Sequence, residues 1–583
     1  MTPAVQEAIS TPHFTLLRVL DAAPTPLSQE TQQTYFELQK KSMPELDVFT
    51  QSELQWGALN TAVLGMFYPH PEKQDTVEFS GDMNNFVSAH KYRVYAPNDT
   101  LLDLVVNTLV PTESRFPLGD LRLTECRLPL PNKPRPNVTV FVSTRDFLAA
   151  RTAMFGKTRL GKSNIVKLIA QSLIETTFSA KNVGQLIFDI NGEYANDNPQ
   201  DGNLSLRGAY PSQCDVYALT PKPSTPSKPL KLDFYEHPDR SHRVLSNLLA
   251  SEDRTAIYVQ AFRGLDLANI DALNTLPINE KKRAHRKILM YWAILHKAGF
   301  PADEAKLKRL VSLDPRFNQA VRDALYGSSP VPAITNLDAL QREMELLIEA
   351  NRLNPLSSSS GGALLDANDL ALLDFLKPPM GAGPKMIQRF KMYHDAKAGD
   401  FVNEIIALLD SGKTVILDLG NADEEVMQYF SEELSVAVLF HQTDKFTNNK
   451  LGNHFVQLYF EEAHNLFPAK DEAMVDIYRK LAKEGAKYHI GMVYSTQSVT
   501  TISKDLLAQT ENFFIAHMSS QDEVNALAKM NVAYDSMKDD ILRAKTPGYV
   551  RMLTRSHRFV VSVQARKFEP ENATQPGSQA KLL

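Results

Sequence analysis

The segment that most constrains the fold of this chain is Gly156–Ser163, which reads GKTRLGKS and satisfies the pattern G-x-x-x-x-G-K-[S/T]. An apolar run at 151–155 precedes it, and an amphipathic stretch from 163 to 178 predicts a helix after it. In that context the backbone curls so that its N–H groups and the helix amino terminus face phosphates. Lys162 is then expected on the β and γ phosphates, with the Ser163 hydroxyl on Mg²⁺. The alternative is a glycine-lysine turn that arose by chance.

Two adjacent acids, Glu461 and Glu462, end a second apolar run at 457–460. Beside a phosphate loop, we expect Glu461 to hold Mg²⁺ through its water shell and Glu462 to orient and deprotonate the attacking water. The alternative is a pair of acids that only ends a strand in solvent. His464 follows them, but the zinc pattern H-E-x-x-H is absent. A core histidine or one near the phosphates is therefore favoured over a metal ligand.

Two polar segments, Asp189–Tyr194 and Ser495–Gln497, follow strand-like runs and lie where nucleotide sensing is expected. The Gln497 amide can hydrogen-bond a γ-phosphate without competing for magnesium. Either segment could also be an ordinary strand-end turn. The predicted catalytic residues are Glu462, Glu461, Lys162 and Gln497. The predicted nucleotide contacts are Gly156, Lys157, Thr158, Arg159, Leu160, Gly161, Lys162, Ser163, Asn164, Asp189 and Glu193.

The alternation of apolar strands and helices from Arg151 onward predicts an α/β fold with a parallel sheet. The predicted strands of that sheet are 151–155, 183–190, 414–420, 454–460, 488–495 and 512–519, with a hairpin at 548–568. Helical patterns, as at 281–299 and 337–353, dominate the interval between them. We predict a β-rich module at 1–146, a core at 147–236 and 401–569, a helical insertion at 237–400 and a disordered tail at 570–583. Within the module, we predict a helix at 26–41 and strands at 59–69, 91–97, 121–131 and 138–143.

Charge and cysteine content exclude several classes of protein. The net charge of −5 argues against attraction of the whole chain to nucleic acid or acidic lipid, so a polyanion site must be local. Basic residues cluster at 281–287, at 385–391 and among Arg543, Lys545, Arg551, Arg555 and Arg558, where a solvated face is the alternative. Two cysteines are too few for a disulfide framework or a cysteine-rich zinc site. With no signal-peptide pattern and no run of ~20 apolar residues, we expect a cytoplasmic protein.

These motifs resemble those of the HerA family within the HerA–FtsK group of hexameric ATPases. The resemblance rests on 116–119 closing a barrel, the loop 156–163, D-x-x-G-E-Y at 189–194, the acids at 461–465, E-G-x-K-Y at 484–488 and T-Q at 496–497. It implies a RecA-like core with a small β-barrel module, and six subunits with ATP and Mg²⁺ between neighbours. It also implies double-stranded DNA in the channel and a separate effector, either a nuclease or a Sir2-like NAD hydrolase, in antiviral defence or DNA-end processing.

Four residues, at three places in the sequence, depart from the family pattern. Arg159 and Leu160 replace glycine and serine in the loop, and position 159 favours glycine for its backbone angle. Glu461 replaces aspartate, which lengthens the acid by one methylene. Ala486 replaces a basic residue that could act on a neighbouring subunit's ATP, and Arg151, Arg479, Lys483 and Lys487 are candidates to substitute for it. The altered loop keeps open a nucleotide-regulated scaffold ring that controls an effector with little translocation.

Overall fold

A computed structural model describes residues 13–23, 33, 36–37, 40, 58–73, 76–82, 94–125, 138–157, 159–198, 204–250, 256–327, 329–358, 362–398, 400–420, 424–469 and 476–569. The strands are β1 (Phe14–Ala23), β2 (Ala58–Pro69), β3 (Val77–Ser80), β4 (Arg115–Leu121), β5 (Thr139–Ser143), β6 (Arg151–Phe155), β7 (Val183–Asp189), β8 (Cys214–Ala218), β9 (Lys228–Pro229), β10 (Thr414–Asp418), β11 (Phe455–Phe460), β12 (Ile490–Thr496), β13 (Asn512–Ile515), β14 (Tyr549–Leu553) and β15 (Val561–Ala565).

The α-helices are α1 (Asp99–Asn107), α2 (Lys162–Thr177), α3 (Leu206–Ala209), α4 (Pro238–Ala250), α5 (Ile257–Arg263), α6 (Ile278–Lys297), α7 (Glu304–Leu310), α8 (Gln319–Tyr326), α9 (Leu337–Leu353), α10 (Ala367–Leu376), α11 (Phe401–Asp410), α12 (Glu424–Thr447), α13 (Asp476–Glu484), α14 (Lys504–Ala508), α15 (Gln521–Met530) and α16 (Lys538–Arg543). The predicted α/β class is therefore confirmed. None of the helices in the described ranges combines the length and apolar character needed to cross a membrane.

The chain divides into two compact units. Unit 1 comprises residues 1–176, 462–474 and 491–583, and unit 2 comprises residues 177–461 and 475–490. The chain thus enters unit 2 at the last residue of helix α2, and it first leaves that unit between the two adjacent acids.

Parallel pairing in unit 1 brings several polar loops to one edge of a sheet. Its strands lie in the order β5-β4-β15-β14-β13-β6-β12. Strand β6 is buried along its whole length and lies parallel to β12 and β13, with Phe155 opposite Thr496 and Ile515. Because parallel strands end at the same edge, the loops after Phe155 and Thr496 begin close together. Helix α2 follows the first loop and buries Ile165, Ile169 and Leu173, at the spacing of one helical face.

Unit 2 repeats this arrangement with other strands. The order is β11-β7-β10-β8-β9, and β7 lies parallel to β11 and β10. Phe460 lies opposite Phe188, and Asp418 lies opposite Asp189. Glu461 and the turn after Asp189 therefore start at one edge. Strand β8 was not predicted, because its sequence, Cys214–Ala218, is short and only partly apolar.

Helices fill most of unit 2 between β9 and β10, as the sequence predicts. The predicted helices at 281–299 and 337–353 are α6 and α9, and they pack on each other and on α10. Trp292 at the centre of α6 is fully buried and donates its indole N–H to the Tyr235 carbonyl at 2.9 Å. The domain boundaries drawn from sequence stay a prediction.

The amino-terminal strands form an antiparallel sheet of order β1-β2-β3. Phe67 of β2 is fully buried and stacks on Phe14 at 5.1 Å between ring centres. Gly65 has φ 145°, and a Cβ there would lie 2.3 Å from the Ser80 carbonyl oxygen, so the pairing of β2 with β3 requires glycine. A closed barrel stays a prediction. Most of the predicted helix at 26–41 and all of the tail at 570–583 lie outside the described residues.

Two strand predictions in this region are wrong. Residues 94–97 form neither a strand nor a helix, and a strand ends at Leu121 instead of starting there. The observed strand β4 buries Phe116, Leu118 and Leu121, and it pairs with β5 and β15. The pairing of β4 with β5 and β15, together with the burial of its apolar side chains, decides where the strand lies. The apolar pattern that begins at Leu121 does not decide it. The segment 116–119 therefore belongs to the sheet of unit 1.

One buried acid in the helical part makes the stability of the fold depend on pH. Glu343 on α9 is 3% exposed, and its Oε2 is buried without a hydrogen-bond partner among the described residues. Burial raises the pKa of Glu343 to about 7, and Arg322 only partly opposes this. Between the lower pKa of the unfolded chain and the raised pKa of the folded chain, Glu343 therefore keeps a proton only in the folded chain. Stability from this group is present at low pH and is lost as pH rises through about 7.

We expect Glu343→Gln to stabilise the chain relative to wild type by on the order of 2 kcal/mol more at pH 8 than at pH 5, since it removes this titration. Thermal unfolding of both chains at the two pH values measures the difference. Glu349→Gln on the same helix is the control, because Glu349 is exposed. An equal difference between wild type and Glu343→Gln at both pH values would contradict the expectation.

Candidate nucleotide site

The phosphate loop has the curled backbone that its sequence predicts. Gly156, Arg159 and Gly161 have φ values of 155°, 62° and 92°, and Thr158 lies outside the described residues. A Cβ on Gly156 would lie 2.7 Å from the Cβ of Ala516. The position therefore requires glycine both for its backbone angle and for the space beside it.

Neighbouring strand ends anchor the loop. The Lys157 N–H donates to the His517 carbonyl at 3.2 Å, and the Leu160 carbonyl accepts from the Gly548 N–H at 3.0 Å. The Gly156 N–H reaches the Thr496 carbonyl at 3.4 Å. The N–H groups of Gly156 and Lys157 thus form hydrogen bonds within the protein, and these two residues begin the loop.

Arg159 adopts a left-handed backbone and is exposed. The prediction that this position needs an angle favouring glycine is confirmed. A side chain in this conformation costs about 1 kcal/mol or more. The exposure of Arg159 agrees with a guanidinium that points outward. In that orientation Lys162, and not Arg159, is the expected positive charge on the phosphates.

We expect Arg159→Gly to keep ATP affinity within about tenfold and to preserve or raise the rate of hydrolysis. Glycine relieves the backbone strain, and the exposed cation is not needed on the γ-phosphate. Arg159→Ala is the matched variant, because it removes the charge but keeps a Cβ. Titration with a fluorescent ATP analogue and phosphate release measure both effects. Loss of hydrolysis in both variants would identify Arg159 as a catalytic cation and overturn the outward orientation.

Lys162, Glu462 and Gln497 converge in unit 1. Lys162 is the first residue of α2 and is 9% exposed, with its Nζ 3.9 Å from Glu462 Oε1. Gln497 follows β12 and donates from Nε2 to the same Oε1 at 3.3 Å. Glu462 itself has φ 42°, a left-handed turn directly after the end of β11. This turn places the carboxylate against the two residues that sequence reasoning paired with phosphate.

His464 completes the surroundings of this carboxylate. Its Nδ1 lies 3.6 Å from Glu462 Oε2 and 3.2 Å from Thr496 Oγ1. The interpretation of His464 as a residue near the phosphate site agrees with this position. The sequence did not predict its contact with Thr496, which links the acidic turn to the end of β12.

Glu461 lies in unit 2 and is held by the turn that follows β7. It is 6% exposed, and Asn191 donates from Nδ2 to Glu461 Oε2 at 3.3 Å. Tyr194 is fully buried, and burial together with the charge of Glu461 raises the pKa of its hydroxyl. The segment 189–194 therefore holds the Glu461 carboxylate through the hydrogen bond from Asn191.

Asp189 has a structural role in this turn. Its carboxylate accepts the backbone N–H groups of Glu193, Tyr194 and Ala195 at 3.0, 2.9 and 2.9 Å. Burial, with Asp418 nearby, raises its pKa to about 7 despite these hydrogen bonds. Glu193 is exposed. A direct contact of either acid with nucleotide stays a prediction, and the signal for the structural role was the turn-forming Asn191-Gly192.

Two predicted site residues are engaged within the fold or buried. Asn164 donates from Nδ2 to the Arg566 carbonyl and accepts the Phe568 N–H, both at 2.8 Å, so its amide ties α2 to the chain after β15. Arg151 begins β6 and is 5% exposed, with burial lowering its pKa. Arg151 is therefore little exposed, and its role as a cation for a neighbouring subunit stays a prediction.

The other candidate cations lie at the end of α13 and in the 3-10 turn Gly485–Tyr488. Lys483 and Lys487 are exposed, and Arg479 is half-buried. The Lys487 ammonium lies 5.0 Å from the Phe446 ring centre and 5.5 Å from that of Tyr488. Lys483 and Lys487 are therefore accessible.

Some residues of the predicted basic clusters are paired with acids or buried. Arg286 pairs with Asp369, Lys287 lies 2.9 Å from Asp366, and Arg551 is fully buried against Asp540. These three residues hold elements together. Exposed residues of the clusters are Lys281, Lys282, Arg283, Lys385, Arg389, Arg543, Lys545, Arg555 and Arg558.

The residues assigned to magnesium have suitable chemistry. Ser163 and Glu461 both offer oxygen, the donor type that Mg²⁺ prefers, and Mg²⁺ usually keeps several waters and binds substrate phosphates. The described residues contain no group of three or more His, Cys, Asp or Glu side chains that could hold a metal by themselves. Each of these donors suits an ion carried with a nucleotide, and a magnesium site shared by Ser163 and Glu461 stays a prediction.

Residues 130–347 match the family model described as Helicase HerA, central domain. Over these residues the chain is similar to the HerA central domain. The matched range contains the phosphate loop and the turn after β7, and it extends into the helical part of unit 2. A curated relative is the DNA double-strand break repair helicase HerA of Sulfurisphaera tokodaii, 24% identical over 202 residues. That match covers 34% of this chain and only 39% of the HerA relative.

Similar solved structures include a conjugative coupling protein, VirB4 and a genome packaging NTPase. The bacterial conjugative coupling protein TrwBdeltaN70 has 12% identity and a TM-score of 0.37, over 79% of this chain and 96% of that protein. VirB4 of Thermoanaerobacter pseudethanolicus has 14% identity and a TM-score of 0.37, over 79% and 98%. The genome packaging NTPase B204 from Sulfolobus turreted icosahedral virus 2, in complex with ATP-gammaS, has 13% identity and a TM-score of 0.22, over 29% and 72%.

Proposed function

We propose that this chain is a Mg²⁺-dependent ATP hydrolase. The observation that carries the proposal is the convergence of Lys162 and Gln497 on the Glu462 carboxylate, at 3.9 and 3.3 Å. These are a phosphate-binding cation, an uncharged amide and a base, the groups that phosphoryl transfer to water requires. The HerA central domain match supports the same assignment.

Each residue has a separate role in this proposal. The loop 156–163 and the amino terminus of α2 bind the phosphates, and Lys162 balances their charge. Glu462 orients a water and accepts its proton at a carboxylate oxygen. Gln497 orients that water or the γ-phosphate by a hydrogen bond. Ser163 and Glu461 would hold Mg²⁺, directly or through water, and the ion would supply positive charge that neutralises the phosphates.

We further propose that six subunits form a ring that moves double-stranded DNA in the cytoplasm together with a separate effector. Phosphoryl transfer needs a cation on the transition state, and an exposed residue such as Lys483 or Lys487 could supply it to a neighbour's ATP. Exposed Lys385 and Arg389 are candidates for phosphate contacts to DNA. The effector is a nuclease or a Sir2-like NAD hydrolase, in antiviral defence or DNA-end processing.

A nucleotide-regulated scaffold ring is the second candidate function. Arg159 favours it, because a residue with φ 62° in the phosphate loop can slow turnover while nucleotide binding persists. In that case ATP would set the assembly of the effector complex, with little movement of DNA.

Two measurements test the ring and its DNA. Light scattering with ATP and Mg²⁺ should give a particle of six 65.3-kDa chains, and a monomer under these conditions would contradict the ring. Binding of a 30-bp duplex should weaken by about tenfold or more between 50 and 200 mM salt as counterions are released. Lys385→Ala with Arg389→Ala should lower the salt slope by about 2, whereas exposed Lys450→Ala should not. Binding that is unchanged at high salt would contradict a phosphate-lined channel.

A further inference from the structure

Glu523 accepts four hydrogen bonds, two on each carboxylate oxygen, from the loop that follows Gln497. Its Oε1 accepts the hydroxyls of Ser498 and Thr500 at 2.6 and 2.5 Å. Its Oε2 accepts the backbone N–H groups of Val499 and Thr500 at 2.5 and 3.0 Å. One carboxylate on α15 thus fixes three consecutive residues of another segment.

The bound loop is continuous with the candidate catalytic amide. Gln497 is exposed. Its neighbours along the chain are Thr496, which lies opposite Phe155 in the sheet, and Ser498, which Glu523 holds. Val499 is 3% exposed, so the loop is also packed. The position of the Gln497 side chain on Glu462 is therefore set by the sheet on one side and by Glu523 on the other.

The chemistry of this contact favours an ionised carboxylate. The two backbone N–H groups can only donate and the two hydroxyls can donate, so a carboxylate can accept from all four partners. Burial alone would raise the pKa of Glu523, but the hydrogen bonds from Ser498, Thr500 and Val499 outweigh it and lower the pKa. Glu523 also lies in the first turn of α15, where the helix dipole favours a negative charge. Each oxygen of the Glu523 carboxylate accepts two hydrogen bonds, so the loop uses all of its acceptor sites.

We propose that Glu523 is a positioning residue for ATP hydrolysis, which holds the loop 498–500 so that Gln497 stays on Glu462. The inference rests on the proposed function, because Gln497 matters only if the chain turns over ATP. It adds a residue outside the phosphate loop and the acidic turn, 26 positions after Gln497 in sequence.

A double-mutant cycle on the full chain tests this, with ATP turnover as the readout. Glu523→Ala should lower kcat by ~10- to 100-fold, because small displacements of catalytic groups have effects of that size. Its ATP affinity should change by less than about threefold. Adding Glu523→Ala to Gln497→Ala should cost no more than about twofold further, because the residue acts through Gln497. Asp522→Asn, exposed on the same helix, should leave kcat unchanged.

Equal losses from Glu523→Ala in both backgrounds would show a structural role only and overturn the inference. If Glu523→Ala fails to fold, Glu523→Gln enters the same cycle with the same criterion, since it keeps the side-chain volume. A crystal structure of the Glu523 variant in which Gln497 still contacts Glu462 would overturn the inference whether or not the wild type hydrolyses ATP. A wild-type chain that binds ATP without turnover would instead overturn the proposed function.

Discussion

Replacing Glu462 by glutamine should abolish ATP hydrolysis and leave ATP binding intact. General-base catalysis contributes ~10²- to 10⁴-fold, and an amide of the same shape cannot accept the proton of the attacking water. The neighbours of Glu462 support this, since Lys162 and Gln497 contact one carboxylate oxygen and can still contact an amide oxygen. Phosphate release with saturating Mg²⁺ and ATP measures turnover, and titration with a labelled nucleotide measures binding.

The adjacent acid provides a matched comparison. Glu461→Gln should raise the Mg²⁺ concentration needed for half-maximal turnover, because Glu461 is assigned to the water shell of the ion. Glu462→Gln should remain inactive at every Mg²⁺ concentration. Full turnover by Glu462→Gln, or an identical Mg²⁺ dependence in both variants, would contradict the separate roles of the two acids.

Replacing Lys162 by alanine should weaken ATP binding by about 10- to 100-fold, corresponding to the loss of one charge-assisted contact. Lys162 is 9% exposed at the start of α2, so alanine leaves the phosphate charge without a compensating cation in a largely dehydrated position. Equilibrium titration with a non-hydrolysed ATP analogue measures the affinity without interference from turnover.

Lys167→Ala is the control for this change. Lys167 lies one and a half turns further along α2, is 7% exposed, and has its ammonium 5.8 Å from the Phe568 ring centre. It should lower the unfolding temperature and leave ATP affinity within about twofold. Unchanged affinity in Lys162→Ala would contradict the assignment of 156–163 as a phosphate loop.

Much of the core could be predicted from sequence, because its elements carry strong local signals. The strands at 151–155 and 455–460 are apolar runs that end in turn or acidic residues, and α2 follows the phosphate loop as a long stretch of helix-forming residues. By contrast, β8 and the true bounds of β4 are decided by pairing with distant strands. A window of sequence does not contain that information.

The site divides in the same way. Lys162, Glu462 and Gln497 were predicted because each residue type has a chemical role at a strand end. Asn164 was predicted for its position in the motif, but it contacts Arg566 and Phe568, some 400 residues later in the chain. Glu523 was missed because no local pattern marks an acid that binds a loop 23 to 25 residues before it.

The most direct test of the central claim is the rate of phosphate release from ATP by the full chain, measured with Mg²⁺, with a chelator, and with added double-stranded DNA. The account predicts repeated turnover in Mg²⁺, background release with the chelator, and a higher rate when DNA is present. Tight ATP binding with no more than one phosphate released per chain, in Mg²⁺ and with DNA, would contradict the motor and favour the scaffold ring.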